Sequence, residues 1–389
     1  MVTSHNLNQP APPPVDLNQP IALDPRNFTS LQRTPWAGTE LASGIKSQLS
    51  SSTEQRIGES WEMSCDPDSP SRLTDSPSWT LIDLVSTYPE ACLSQALVSA
   101  GRNTCDILVK LLNADLPLSL QIHPSDHHPA LQIHECGKPE SWLVISAKPG
   151  AGLYLGFSQA LDIKDLRMML EHNTFSSDLL QFVPVVPGDY FEIEPHVPHA
   201  IGPGVVLLEP QRIIAGKSGK TWRMWDWNRK YDVNGAIDPH HGKPRQLHID
   251  ESLTLIHPEV QYSLVYANSF KRKPETCEPA PGIKVRAFPA NPWYQTLSVT
   301  MKPQSAIPMN QCIGYGCLTT ISGEIMANEG QCHQKRLPQG QSFFLPAQCL
   351  PLTLANPSTK TSELTMVIPA GKGTNGLGRR DIQSLFTPI

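Results

Sequence analysis

No run of about eighteen apolar residues occurs in this 389-residue chain, so no membrane-spanning helix is expected. Nor does the chain open on a basic stretch followed by an apolar one, as a secretory leader would, and a cytoplasmic protein is the expectation. Charge is sparse and slightly acidic. Charged residues make up 17% of the chain and the formal net charge is -5, which leaves no basic field to attract nucleic acid. The 9 cysteines (Cys65, Cys92, Cys105, Cys136, Cys277, Cys312, Cys317, Cys332 and Cys349) are odd in number and form no C-x-x-C pair, so scattered reduced thiols are expected. Abundant instead are Pro, at 38, and Gly, at 25, which punctuate many short strands and turns and argue against long helices.

Residues 1–28 hold Gln9-Pro10-Ala11-Pro12-Pro13-Pro14 and a second Asn-Gln-Pro at Asn18-Gln19-Pro20. Such a composition buries little apolar surface, and a mobile tail is expected. In residues 80–97, Leu81, Leu84, Val85, Tyr88, Cys92 and Leu93 recur at three- and four-residue steps, which predicts a helix. Residues 106–255 read mostly as strand, interrupted by a helix over 163–172. After a Lys- and Pro-rich linker at 271–281, the short-strand texture returns at 294–301, 316–326, 342–345 and 364–368. The fold class predicted is mainly β: two barrel or sandwich units with a few short helices, over residues 29–270 and 271–389. The second unit has no Pro-His pair, although Gln331-Cys332-His333 is a Gln-x-His, and it is expected to be structural.

Chemistry concentrates in the first unit. Gln121 and His123 are two apart in Leu118-Ser119-Leu120-Gln121-Ile122-His123, so in an extended strand both side chains leave one face. Glu140 opens the apolar Trp142-Leu143-Val144-Ile145 segment. His199 follows Val186-Pro187-Gly188-Asp189-Tyr190-Phe191, a turn leading into alternating residues. Strands at these distances bring Gln121, His123, Glu140 and His199 to one cavity. Two imidazoles, a carboxylate and an amide oxygen suit Zn²⁺ with an open position. Cys136 is the cysteine nearest these residues and is read as packing.

An ordered series of motifs then resembles the type I mannose-6-phosphate isomerases in their shorter bacterial form. It runs through Pro35-Trp36-Ala37-Gly38, Gly58-Glu59-Ser60-Trp61-Glu62, Leu108-Val109-Lys110-Leu111-Leu112, Gln121-Ile122-His123-Pro124 and Lys138-Pro139-Glu140. It continues through Pro198-His199-Ala200, Leu207-Leu208-Glu209, Trp222-Arg223-Met224-Trp225-Asp226 and Leu247-His248-Ile249-Asp250. The resemblance implies two cupin-like β-barrels (a jelly-roll bicupin), one Zn²⁺ per chain, and conversion of mannose 6-phosphate to fructose 6-phosphate. It implies Gln121, His123, Glu140 and His199 as zinc ligands and Lys138, Glu209 and Arg223 as active-site residues. The partner implied is a small sugar phosphate. Nothing fixes an oligomeric state, and a monomer is the expectation.

The residues agree with those roles. Moving a proton between C1 and C2 through an enediolate needs a polarised carbonyl and a proton carrier. Glu209 follows Val205-Val206-Leu207-Leu208, where burial would raise its pKa. Lys138, two residues before Glu140, would relay a proton if its pKa were lowered beside the ion, and the choice of base between the two stays open. Arg223, between Trp222 and Trp225, offers a guanidinium fork to phosphate or enediolate oxygens.

Relative to the family pattern the chain carries a few extra residues within 212–220. They include Gly216-Lys217-Ser218-Gly219-Lys220, which fails as a phosphate loop because Gln211 stands where its first glycine belongs, and a surface loop is expected. His196 stays open between a contact of the site and a solvated loop residue. Two other functions remain in view: an iron cupin oxygenase, which would want a more His-rich set than one containing Gln121, and a sugar-phosphate-binding bicupin without turnover.

Overall fold

The run Ile107-Leu108-Val109-Lys110-Leu111-Leu112-Asn113-Ala114 is apolar at both odd and even positions, a pattern suited to a strand covered on both faces. In the computed structural model, which describes residues 12–310, 314–329, 333–370 and 385–386, it forms strand Ile107–Ala114, buried along its whole length. It lies inside a six-stranded sheet whose strands, side by side, are Glu59–Met63, Ile107–Ala114, Val205–Arg212, Glu140–Ala147, Tyr190–Ile193 and Lys271–Arg272. All neighbours in it are antiparallel.

The two faces of this sheet have different partners. On one, Leu112, Trp142, Val144, Phe191 and Leu207 pack against Leu153, Leu155, Val183 and Ile201 of a five-stranded sheet. That second sheet runs Leu180–Pro184, Gly152–Phe157, His199–Ile201, Leu120–Ile122 and Trp222–Trp225. On the other face, Val109, Leu111, Leu143, Tyr190 and Leu208 meet Phe288, Tyr294, Cys317 and Phe344 of the C-terminal unit and Leu81, Leu84 and Leu93 of the short helices. The C-terminal unit is itself a seven-stranded and a four-stranded sheet, with Val285, Leu297, Ile325 and Leu352 among the residues of their shared core. Burying both faces of one sheet therefore welds the two β units together.

Several expectations are met in their elements. Strands Tyr294–Met301 and Ser342–Leu345 and helix Ile163–Glu171, capped by Asp162, form where periodicity placed them. Others are corrected. The helix expected over 80–97 is three pieces, Leu81–Thr87, Pro89–Leu93 and Gln95–Ser99. Thr80 and Asp83 make a capping box at its start, but Pro89 has no N–H to donate and Ser94 at φ 86 leaves the helical region, so the 3.6-residue pattern survives while the helix breaks. The strand expected over 316–326 becomes Gly316–Ser322 and Glu324–Glu329, divided at Gly323, whose φ of 75 favours glycine.

The tail also differs. Residues 1–11 lie outside the described residues, but Ile21 and Ala22 pair with Phe344 and Phe343, and Leu17, Ile21 and Leu23 enter the core. A Pro-rich average had masked this short apolar segment. Where a linker was expected, Lys271–Arg272 extends the six-stranded sheet and Glu275–Ala280 the seven-stranded one. Cys65, Cys92, Cys105, Cys136 and Cys317 are buried free thiols, while Cys312 and Cys332 lie outside the described residues. No helix among the described residues is long and apolar enough to cross a membrane.

Candidate active site

Strand alternation selects which side chains enter the space between the six-stranded and five-stranded sheets. Glu140 shares the inner face with Trp142 and Val144, and Glu209 and Gln211 share it with Val205 and Leu207. On the facing sheet, Gln121 stands opposite His199 in one ladder and opposite Arg223 in the next. Apolar residues fill one end of the space between the sheets. At the other end is a cavity of about 410 Å³ lined by Glu59, Trp61, Lys110, Gln121, Lys138, Glu209 and Arg223, among others.

Next to Lys138, one of the residues lining this cavity, His123, Glu140 and His199 each present a donor atom, all within 4.8 Å of one another and all buried. Each imidazole is oriented by a backbone carbonyl: Nδ1 of His123 lies 3.1 Å from Lys220 O, and Nδ1 of His199 lies 2.8 Å from Val197 O. A carbonyl only accepts, so both rings carry the proton on Nδ1 and turn a lone pair on Nε2 inward. Those Nε2 atoms stand 3.3 and 3.4 Å from the Glu140 carboxylate oxygens. Three acceptors thus face one another in a buried pocket, and His123 Nε2 has no hydrogen-bond partner among the described residues.

The protonation states agree with that geometry. Burial, then Lys138, holds His123 below its ordinary value, and burial, then His123, pushes His199 down to about 3. For Glu140 burial opposes ionisation, but the positive charge of Lys138 counters it and the carboxyl is held well below the usual range. Two neutral imidazoles around a carboxylate are the forms that bind a divalent cation, and a cation relieves the clash of lone pairs. The donor set fits a metal.

Lys138 and Glu209 stand beside it. Lys138 Nζ is 3.0 Å from Glu140 Oε2. Burial would lower its pKa, yet Glu140 and Glu209 prevail and raise it. Glu209 accepts from Trp142 Nε1 at 3.0 Å and from Gln211 Nε2, and burial, then Glu140, pushes it up to about 8. Gln211 also donates to Glu140 Oε2 at 3.2 Å, linking the two carboxylates. Sequence reading missed Gln211 and Trp142. Their signal was the two-residue period itself, which places Gln211 beside Glu209 and Trp142 beside Glu140.

The extra residues within 212–220 do not displace Arg223, which lines the cavity opposite Gln121. Its Nε donates to Ser119 Oγ at 3.2 Å and its Nη1 to Gln246 O at 3.0 Å, and burial, then Arg245, lowers it to about 10. The segment expected as a surface loop is in part a strand, because Ser218–Gly219 pairs in parallel with Glu135–Cys136. His196 backs the site through its N–H, which donates to His123 O at 2.9 Å.

Arg229 and Arg245 converge on Asp226, each with a contact of 2.7 Å. Burial opposes the Asp226 charge, but Arg245 and Arg229 outweigh it and hold the pKa below 3.8. Asp226→Asn strands two largely buried guanidiniums and is expected to cost about 3–5 kcal/mol, measured by denaturant unfolding at neutral pH. A carboxyl depressed in the folded state contributes stability above its unfolded pKa and loses it as pH falls through the folded one, so the gap between variant and parent should close in strong acid.

Residues 28–142 match the family model described as phosphomannose isomerase type I, catalytic domain. Over 322 residues, 82% of this chain and 90% of the other, the chain is 26% identical to the mannose-6-phosphate isomerase of Streptococcus mutans serotype c. The crystal structure of the mannose 6-phosphate isomerase from Bacillus subtilis has a TM-score of 0.70 at 24% identity, covering 90% of this chain and 99% of that one. A solved mannose 6-phosphate isomerase bound with zinc and yttrium has a TM-score of 0.62 at 16% identity, with coverage of 90% and 99%.

Proposed function

We propose that the chain belongs to the type I phosphomannose isomerase family and is a zinc-dependent aldose–ketose isomerase interconverting mannose 6-phosphate and fructose 6-phosphate. The observation that carries this reading is the buried, acceptor-only group of His123, Glu140 and His199 with Lys138 and Glu209 alongside. His123, Glu140 and His199 would hold the ion, with the Gln121 amide oxygen as a further ligand. Bound there, it supplies positive charge that polarises the carbonyl and favours an enediolate.

The remaining chemistry falls to side chains. Glu209, with a pKa near 8, is suited to take the carbon-bound proton from C2 and return it at C1, since a group poised near the working pH exchanges protons most readily. Lys138 stays an ammonium between Glu140 and Glu209 and is suited to hydrogen-bond or protonate the C1 and C2 oxygens. Trp142 fixes one Glu209 oxygen and Gln211 the other, so the carboxylate meets its substrate preoriented. At another part of the cavity wall Arg223 and Arg245, with Arg33 on the rim, provide positive charge for the phosphate.

A coupled assay for fructose 6-phosphate tests the proposal. Turnover that a chelator removes and Zn²⁺ restores is expected. Iron-dependent consumption of dioxygen, with no isomerisation, would favour the oxygenase and overturn it.

A further inference from the structure

The segment 216–220 contains two glycines with different reasons to be there. Gly216 has a φ of 67 and nothing among the described residues within 4 Å of where a Cβ would stand, so it serves the turn. Gly219 has no such backbone requirement. A Cβ on it would lie 2.9 Å from both Cγ and Cδ of Lys138 and 3.2 Å from its Cβ. The missing side chain is occupied by the aliphatic stem of the lysine whose ammonium reaches Glu140.

The segment is fixed strongly enough to act as a wall. Ser218 pairs with Glu135 and Gly219 with Cys136. Ser218 N donates to His134 O at 3.0 Å and Lys220 N to Cys136 O at 2.8 Å. The Lys220 ammonium closes an ion pair with Glu135. On the inward side Ser218, Gly219 and Thr221 line the cavity, and the Lys220 carbonyl accepts from His123. One short ladder thus touches the stem of Lys138 and the outer nitrogen of His123.

We propose that this segment is a positioning element of the isomerase site, in which Gly219 sets where the Lys138 ammonium stands relative to Glu140 and Glu209. The inference rests on the isomerase reading above. The physical cause is steric: the channel between Gly219 and the barrel wall admits the lysine stem in its observed path, and one added methyl closes that path. Lys138 then turns out of its 3.0 Å contact with Glu140, although it remains in the chain and charged. Misplacing a catalytic group by about 1 Å costs on the order of 10²-fold in rate.

The test is a double-mutant cycle on the zinc-loaded protein, comparing parent, Gly219→Ala, Lys138→Ala and the double variant. Gly219→Ala is expected to lower kcat by about 10- to 100-fold, leaving KM and Zn²⁺ affinity by calorimetry close to the parent. In the Lys138→Ala background the same substitution is expected to change kcat by less than about twofold, because the stem it displaces is gone. A crystal structure of Gly219→Ala should show the Lys138 ammonium away from Glu140. If Gly219→Ala keeps the parent kcat, or loses as much rate without Lys138 as with it, the positioning role is overturned. An inactive parent would instead overturn the isomerase reading, and the crystal structure would still report on Lys138. Should Gly219→Ala fail to fold, Glu135→Gln releases the Lys220 clamp. A lowered kcat at unchanged KM supports the role, and a parental kcat overturns it.

Discussion

His123→Ala is expected to lose bound metal and isomerisation together. The ring supplies one of the three buried donors, and its removal leaves Glu140 and His199 with a gap that water fills poorly. Even an outer partner of a metal ligand typically costs ~10–100-fold in metal affinity, so deletion of the ligand itself should exceed that range. Metal analysis after dialysis gives the first readout and the coupled assay the second. Arg223→Ala provides the contrast. It lies on the cavity wall outside the cluster, so metal should be retained while kcat/KM falls on the order of 10²-fold, the scale of removing one aimed donor. A His123→Ala protein that keeps stoichiometric metal and turns over at the parental rate would remove the basis for the ligand assignment.

Glu209→Gln should separate proton transfer from metal binding. The substitution preserves volume, and its amide oxygen can still accept from Trp142 Nε1. Gln211 would have to turn its amide to meet the new NH₂ group; its Oε1 has no partner among the described residues of the parent, so an acceptor is available there. The fold and the metal should therefore survive. What disappears is a carboxyl titrating near 8 in the cavity, and loss of a general acid–base typically costs about 10²–10⁴-fold. A kcat within about threefold of the parent, with metal retained, would transfer the proton-carrying role to Lys138 or another group.

Much of this site was legible from period and order. Gln121 and His123 at spacing two, Glu140 opening an apolar strand and Glu209 within another each declared an inward face once their strands were identified. Their convergence was less legible, because it depends on two different sheets: Gln121, His123 and His199 come from or adjoin one, Glu140 and Glu209 from the other. The apolar run 107–114 announced a strand covered on both faces but did not say that a second β unit would cover the outer one. The segment 216–220 looked like a surface loop because its pairing partner, Glu135–Cys136, is more than eighty residues away and its own residues are polar. Pro89 marked a helix break that the longer periodicity obscured, and Ile21-Ala22 marked a strand that neighbouring prolines obscured. The Pro89 break is local, whereas at 107–114, 216–220 and Ile21-Ala22 a local composition was outvoted by a contact distant in sequence.

The most direct measurement of the central claim follows mannose 6-phosphate by NMR in D₂O with purified, zinc-loaded protein. The account predicts that fructose 6-phosphate accumulates to equilibrium, that any solvent deuterium gained appears at C1 or C2, and that chelation stops both until Zn²⁺ returns. Unchanged mannose 6-phosphate in the presence of folded protein with a filled metal site would contradict it.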